Sequence, residues 1–185
     1  APINIVEERT VGPDLGKDSI DAGVFSLIIG FILVIIFMLF KYRIFGLVSN
    51  ISLIANLLMM VGILTILEAT LTLPGIAGII LTVGMAVDSN VLIYERIKEE
   101  LKTEKSTIHA FDTGYNKAKI TVIDANVTTL IAAIILFIFG SGPVKGFAVT
   151  LGIGIVTTLF SAYFIARHLT SVIVLNSKKG NFFKL

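Results

Sequence analysis

The sequence predicts an all-α membrane protein, a polytopic bundle of five transmembrane helices. The 185 residues are 55% hydrophobic, with a mean hydropathy of +0.94, whereas a soluble domain is about 45–50% apolar even on a broader count. Charged residues make up only 15% of the chain and gather between long apolar runs. A β-barrel would instead show strands of about ten residues with alternating polarity.

Five apolar runs follow a polar lead-in. Each is long enough to cross a hydrocarbon core of about 30 Å at about 1.5 Å per residue. We interpret residues 1–18 as the end of an extracytoplasmic domain and residues 178–185 as a cytoplasmic tail, which leaves 19–177 as the membrane domain. The predicted spans are 20–40, 44–67, 73–94, 120–139 and 144–169.

The basic residues of the connections alternate between the two sides of the membrane. Lys41 and Arg43 separate the first two spans, whereas the turn at 68–72 holds no Lys or Arg. The connection at 95–119 and the segment after the fifth span are again rich in basic residues. The positive-inside rule therefore predicts an extracellular N-terminus and a cytoplasmic C-terminus in the bacterial inner membrane.

Two connections are short and one is long. Pro74 and Pro143 suit the first turn of a helix, so spans two and three, and spans four and five, are expected to form hairpins. The long connection at 95–119 is predicted to be a cytoplasmic loop. In it, ERIKEELKTEKS continues the helix of span three with surface ion pairs such as Glu95 with Lys98, and an interfacial helix follows near 108–115. Asn50 and Asn56 in the second span are expected to form hydrogen bonds between helices.

Asp88 is the main candidate functional residue, because an ionisable side chain within a span costs about 2.5–3.5 kcal/mol on insertion scales. It lies about 22 Å along the third span by helix rise, in the predicted inner half of the membrane. Gly84 lies one turn before it. Small residues are expected to let another helix approach closely: Gly75, Ala77, Gly78, Gly84 and Ala86. Asn90 lies about 200° around the helix from Asp88 and is expected to contact a different neighbour.

Asp124 is the second acidic candidate, about four residues into the fourth span. Thr128 is one turn deeper on the same face, and Asn126 lies on the flank. Desolvated carboxylates can take up and release protons near neutral pH, so Asp88 and Asp124 are predicted to form a proton relay. Gly84, Asn90, Asn126 and Thr128 are the predicted supporting positions.

Composition argues against several other functions. The chain contains no cysteine and two histidines, His109 and His168, which are far apart in sequence; no metal site is therefore expected. A basic patch with interleaved aromatic residues is missing, so no nucleic acid partner is predicted. We predict no cofactor and no catalytic residue. Two alternatives to the proton relay remain: an intramembrane aspartyl protease using both acids, and a non-conducting scaffold subunit whose acids only bond neighbouring helices.

Three long stretches resemble the SecD family of the SecD–SecF complex in bacterial protein export, which belongs to the resistance–nodulation–division superfamily. The similarity covers essentially the whole chain. The stretches are INIVEERTVGPDLGKDSI, TVGMAVDSNVLIYERIKEEL and VIDANVTTLIAAIILFIFGSGPVKGFAVTLGIGI.

The resemblance implies helices two to six of a six-helix half, with a SecF-like membrane subunit forming the other half of a pseudo-symmetric core. It implies that Asp88 conducts protons and that Asp124 contributes to the same relay. The implied function is to use the proton gradient to assist polypeptide export. The implied partners are the SecF-like subunit, the Sec translocon channel, the lipid bilayer, and an exported preprotein that an extracytoplasmic domain contacts.

Overall fold

Long apolar helices make up the structure, a computed structural model that describes residues 13–69, 72–103 and 106–176. Five helical segments are long and apolar enough to cross a membrane, which confirms the predicted all-α bundle of five transmembrane helices. The fifth segment consists of α5, a π-helical turn and α6. The elements are α1 (Pro13–Tyr42), α2 (Ile44–Ile66), α3 (Leu73–Thr103), α4 (Thr107–Phe139), α5 (Pro143–Phe160), the π-helical turn (Ser161–Ala166) and α6 (Arg167–Asn176).

Helix α3 is the centre of the bundle, since it packs against α1, α2, α4 and α5. Within the described part of the chain, α1 packs against α2 and α3, and α4 packs against α3, α5 and α6. Tyr163 of the π-helical turn also donates to the Lys119 carbonyl of α4 at 3.3 Å. Both outer helices therefore expose wide apolar surfaces, as Phe25 and Leu33 do on α1 and Ile131 and Ile138 do on α4. These surfaces suit a lipid environment, where apolar side chains face outward.

Small residues let α3 and α5 approach closely. A Cβ added at Gly78 would lie 3.3 Å from Thr150, and one added at Gly154 would clash with Thr82. The Thr82 hydroxyl is fixed, because it donates to the Gly78 carbonyl at 2.8 Å. Without a hydrophobic driving force in lipid, such close contacts provide much of the helix association.

Polar side chains of α2 bind the neighbouring helices. Asn50 donates to the Ile35 carbonyl of α1 at 3.2 Å, and Asn56 donates to the Thr158 hydroxyl of α5 at 3.2 Å. Both predicted interhelical roles are confirmed. Ser52 donates to the carbonyl of Ser161 at 3.0 Å, so α2 also holds the first residue of the π-helical turn.

The prediction for 95–119 is confirmed where the helix of span three continues past Glu95, and wrong where it expected a loop and a separate interfacial helix. Helix α3 continues to Thr103 and α4 begins at Thr107, so the two helices form a long hairpin, and the expected interfacial helix is the first part of α4. The reason is packing: Ile97 and Tyr115 are buried, and a Cβ at Gly114 would lie 2.8 Å from the Ile97 Cα. We call residues 95–103 and 107–119 the charged end of the bundle.

Two other boundaries differ from the sequence prediction. Helix α1 begins at Pro13, inside the stretch interpreted as lead-in, because proline is well suited to the first helical position. The last span does not end near 169 but continues through the π-helical turn to Asn176. The two predicted hairpin turns are confirmed, since Pro74 and Pro143 lie in the first turns of α3 and α5.

The Gly154 contact leads to a stability prediction. In a full-length subunit, Gly154→Ala should lower the free energy of unfolding by about 1–3 kcal/mol, because the added methyl group overpacks the α3–α5 contact. Thermal unfolding in detergent measures this change. Gly152→Ala is the matched control, since its Cβ would meet only Leu130, at 4.0 Å. Equal unfolding temperatures for the two variants would contradict the proposed contact.

Candidate functional site

Asp88 lines a groove between α3 and α4. The groove has a volume of about 210 Å³, and we call it the Asp88 groove. Helix α3 places Asp88 there because a different face of the helix, with Gly75, Gly78 and Thr82, is buried in the core. The lining residues are Met85, Asp88, Ser89, Leu92, Val122, Ala125, Asn126 and Thr129.

The Asp88 carboxylate is exposed on the surface of this chain. Within the described residues it takes part in no hydrogen bond or ion pair, although it lies within the apolar length of α3. A carboxylate at this depth normally faces a cavity or pairs with another group. The open groove therefore gives Asp88 access to water or to a partner side chain from outside this chain.

Other polar groups of the groove are mostly engaged with their own helices. Ser89 donates to the Met85 carbonyl at 2.9 Å, and Thr129 donates to the Ala125 carbonyl at 3.0 Å. Asn126 donates to the Val122 carbonyl at 2.8 Å, which leaves its buried Oδ1 without a partner in the described structure. Asn126 is thus a lining residue of the groove whose own oxygen is buried.

The structure separates the two acidic candidates. Asp124 is exposed and is not among the residues that line the Asp88 groove. Thr128 donates to the Asp124 backbone carbonyl at 2.8 Å, an ordinary contact within one helix turn. Asp88 and Asp124 thus line no common groove among those described, and the structure gives no support to the shared site that an aspartyl protease requires.

The remaining supporting positions have different surroundings. Asn90 is buried on the inner side of α3 and donates to the Ala86 carbonyl at 3.2 Å. Gly84 is half-buried, and a Cβ there would meet no described atom within 4 Å. No described helix of this chain therefore makes a close contact at Gly84. The expected close contacts at Gly75 and Gly78 are confirmed, since a Cβ at either would lie 3.3 Å from Thr150.

A second, charged groove follows the first toward the charged end. Its volume is about 390 Å³, and we call it the vestibule. Sequence reasoning treated its acidic and basic residues as surface ion pairs only. The signal that it missed is the spacing of Glu95 and Glu99, seven and eleven residues after Asp88 on the same helix face. The vestibule is lined by Leu92, Glu95, Arg96, Glu99, Lys117, Ala118 and Thr121.

Ion pairs fix the walls of the vestibule. Glu100 is buried and accepts hydrogen bonds from Lys117 of α4 at 2.9 and 3.0 Å. Arg96 approaches the same carboxylate at 3.0 Å, so three charges join α3 to α4. Glu95 accepts from the Tyr42 hydroxyl at 2.8 Å and from Lys98 at 3.1 Å, which also attaches the end of α1.

The two histidines are closer than the sequence suggested. His109 and His168 line one cavity of about 710 Å³ between α4 and α6, which also contains the Asp112–Arg167 ion pair. Within the described residues, no group of three or more His, Cys, Asp or Glu side chains could hold a metal ion. This cavity and the Asp88 groove have no lining residue in common.

Comparison with known proteins identifies relatives in protein export. The family model described as "Protein export membrane protein SecD/SecF, C-terminal" matches residues 2–176. The protein translocase subunit SecD of Magnetococcus marinus is 52% identical over 96% of this chain and 34% of its own length. SecD of Desulfurispirillum indicum is 56% identical over 94% of this chain and 34% of its own length. The chain thus spans about a third of these curated relatives.

Solved structures show the same fold. A crystal structure of SecDF from Thermus thermophilus, described as a translocon-associated membrane protein, matches with a TM-score of 0.88 and 42% identity. The match covers 91% of this chain and 24% of that one. SecDF in a super-membrane-facing form matches with a TM-score of 0.82 and 41% identity, over 91% and 23%. The sequence match over nearly the whole chain and the shared fold show that this membrane protein belongs to the SecD/SecF family of protein-export membrane proteins.

Proposed function

We propose that this chain functions in a proton-motive-force-coupled accessory subunit of the bacterial Sec protein translocase, which assists the export of polypeptides. The observation that carries the proposal is the Asp88 carboxylate, which lies within an apolar helix and faces an open groove without a partner in the described residues. The names of the relatives, which are translocase subunits, support the same function.

The proposed chemistry is reversible protonation of Asp88. A carboxylate that loses water contacts is favoured in its neutral form, whereas a nearby cation favours the charged form. A change in the surroundings of the groove can therefore make Asp88 bind a proton from one side and release it to the other. Asp124 contributes from the neighbouring helix as a second acid at the membrane boundary.

The open side of the Asp88 groove requires a covering partner. We infer that a SecF-like membrane subunit covers the α3–α4 face and supplies the charged group that Asp88 lacks, completing a pseudo-symmetric core. Gly84 supports this arrangement, because its surface has room for a helix of another chain. The Sec channel and the exported preprotein are the proposed further partners, with the preprotein contacted by an extracytoplasmic domain such as the longer relatives can hold.

The proposed orientation follows the distribution of basic residues. The charged end, with Lys98, Lys102 and Lys117, lies in the cytoplasm, and the turns near Pro74 and Pro143 lie outside the inner membrane. This orientation places Asp88 nearer the cytoplasmic side, since it is seven residues from Glu95, or about 10 Å by helix rise.

Replacing the Asp88 carboxylate tests the proposed function. In the full complex, Asp88→Asn should abolish the proton-driven part of export while leaving assembly intact, because the amide has a similar shape but cannot carry a proton in this pH range. The measurement is the rate of preprotein export with and without a protonophore. Asp112→Asn is the control, because Asp112 forms an exposed ion pair outside the groove. Normal proton-driven export by Asp88→Asn would refute the proposal.

The separation of the two acids predicts unequal effects. Asp124→Asn should reduce proton-driven export only partly, since Asp124 does not line the Asp88 groove and its carboxylate is exposed. The same export assay compares the two variants at equal amounts of assembled complex. If Asp124→Asn abolishes export as completely as Asp88→Asn does, the two acids form a single obligatory relay and the assignment of a minor role is wrong.

A further inference from the structure

One face of α3 links the Asp88 groove to the vestibule. Asp88, Leu92, Glu95 and Glu99 follow at intervals of four, three and four residues, which places them in a single stripe along the helix. By helix rise, Leu92 lies about 6 Å and Glu95 about 10 Å beyond Asp88. The stripe therefore leads from an acid within the apolar part of the helix to two acids at its charged end.

Both cavities lie along this stripe, against the same side of α4. Of the described residues that line them, Leu92 is the one that lines both. On α4, the lining changes from Asn126 and Ala125 beside Asp88 to Thr121 and Lys117 in the vestibule. The two cavities are thus consecutive sections of one α3–α4 groove, and Leu92 forms the boundary between them.

The vestibule is suited to exchange protons with water. The Glu95 side chain is 45% exposed and the Glu99 side chain is 60% exposed, so both carboxylates reach the aqueous side. Glu99 accepts from Arg96 at 2.8 Å, and Arg96 and Lys117 hold the buried Glu100. Carboxylates, cations and the Thr121 hydroxyl make this section of the groove easy to hydrate.

Leu92 differs chemically from its neighbours in the stripe. Its side chain has no polar atom, and the residue is 44% exposed, toward the groove and not toward the core. A hydrophobic constriction between two wet compartments stops ions because water does not fill it continuously. Leu92 lies at the boundary of the two sections, so its apolar side chain would form such a constriction once a partner subunit covers the open side of the groove.

We propose that the α3–α4 groove is the path by which Asp88 exchanges protons with the aqueous side at the charged end, and that Leu92 is its hydrophobic gate. This inference rests on the proposed proton relay through Asp88. The partner subunit covers the open side of the groove, which turns it into an enclosed path. While Leu92 closes the boundary, the proton on Asp88 is separated from the vestibule.

The transfer through the open gate is a simple proton exchange. When the Leu92 side chain moves aside, water connects the two sections. The protonated Asp88 carboxyl group then gives its proton to that water and becomes a carboxylate. The proton passes to Glu95 or Glu99, and from there to bulk water. The reverse sequence protonates Asp88, so no other reactant is needed.

The gate is tested by replacing Leu92 with a smaller and with a larger side chain. In the complete complex, reconstituted into vesicles of bacterial phospholipid, Leu92→Ala should raise passive proton flux several-fold, and Leu92→Phe should lower proton-driven export. A pH-sensitive dye inside the vesicles measures the flux. Leu81→Ala is the matched control, because Leu81 is another half-exposed leucine of α3, at 46%, and lines neither cavity.

A double variant tests whether the proton leak of Leu92→Ala passes through Asp88. The leak of Leu92→Ala should disappear in Leu92→Ala/Asp88→Asn, because the path leads through the Asp88 carboxylate. A leak that persists in the double variant would overturn the proposed path. If Leu92→Ala and Leu92→Phe both behave like Leu81→Ala while Asp88→Asn still abolishes proton-driven export, the gate is wrong and the proposed function stands. If one Leu92 variant fails to assemble, the other decides the outcome.

Discussion

A single carboxylate inside an apolar helix is the constraint on which the rest of this structure depends. Placing Asp88 within the bilayer costs about 2.5–3.5 kcal/mol on insertion scales, and no described side chain of this chain offsets that cost by pairing with it. The bundle leaves the acid at a groove between its central helix and an outer helix. An open groove of this kind allows contact with water or with a partner, which lowers the cost of an acid within a span.

The asymmetry of α3 makes this placement possible. One face of the helix is thin, with Gly75 and Gly78 packed closely against α5. A different face, with Asp88 and Leu92, lines the groove. Because stability and function use different faces of one helix, a substitution such as Gly154→Ala tests packing without touching the acid.

Polar contacts near the ends of the helices also hold the bundle together. The contact of Lys117 with Glu100 holds α3 and α4 together beyond the apolar part of the hairpin, and the contact of Tyr42 with Glu95 attaches α1 to the same end. At α5, contacts from Ser52 and Asn56 hold the segment around the π-helical turn. Turns of this kind are frequent at functional sites. These contacts link α1 and α4 to α3, and α2 to the segment around the π-helical turn.

The sequence alone determined which segments cross the membrane and that Asp88 lies in an apolar helix. It also determined that the connections before Pro74 and Pro143 are tight. Those properties are local, since they follow from hydropathy over about 20 residues and from turn residues such as Pro74 and Pro143. Only the tertiary structure decided how each helix is rotated and paired. In the structure, Asp88 faces a groove that is lined by Asn126 but not by Asp124, and Gly84 has no close neighbour. Helices α3 and α4 form a hairpin where a loop was predicted. These outcomes depend on contacts such as Gly114 with Ile97, between residues 17 positions apart on different helices, and a local pattern does not specify such contacts.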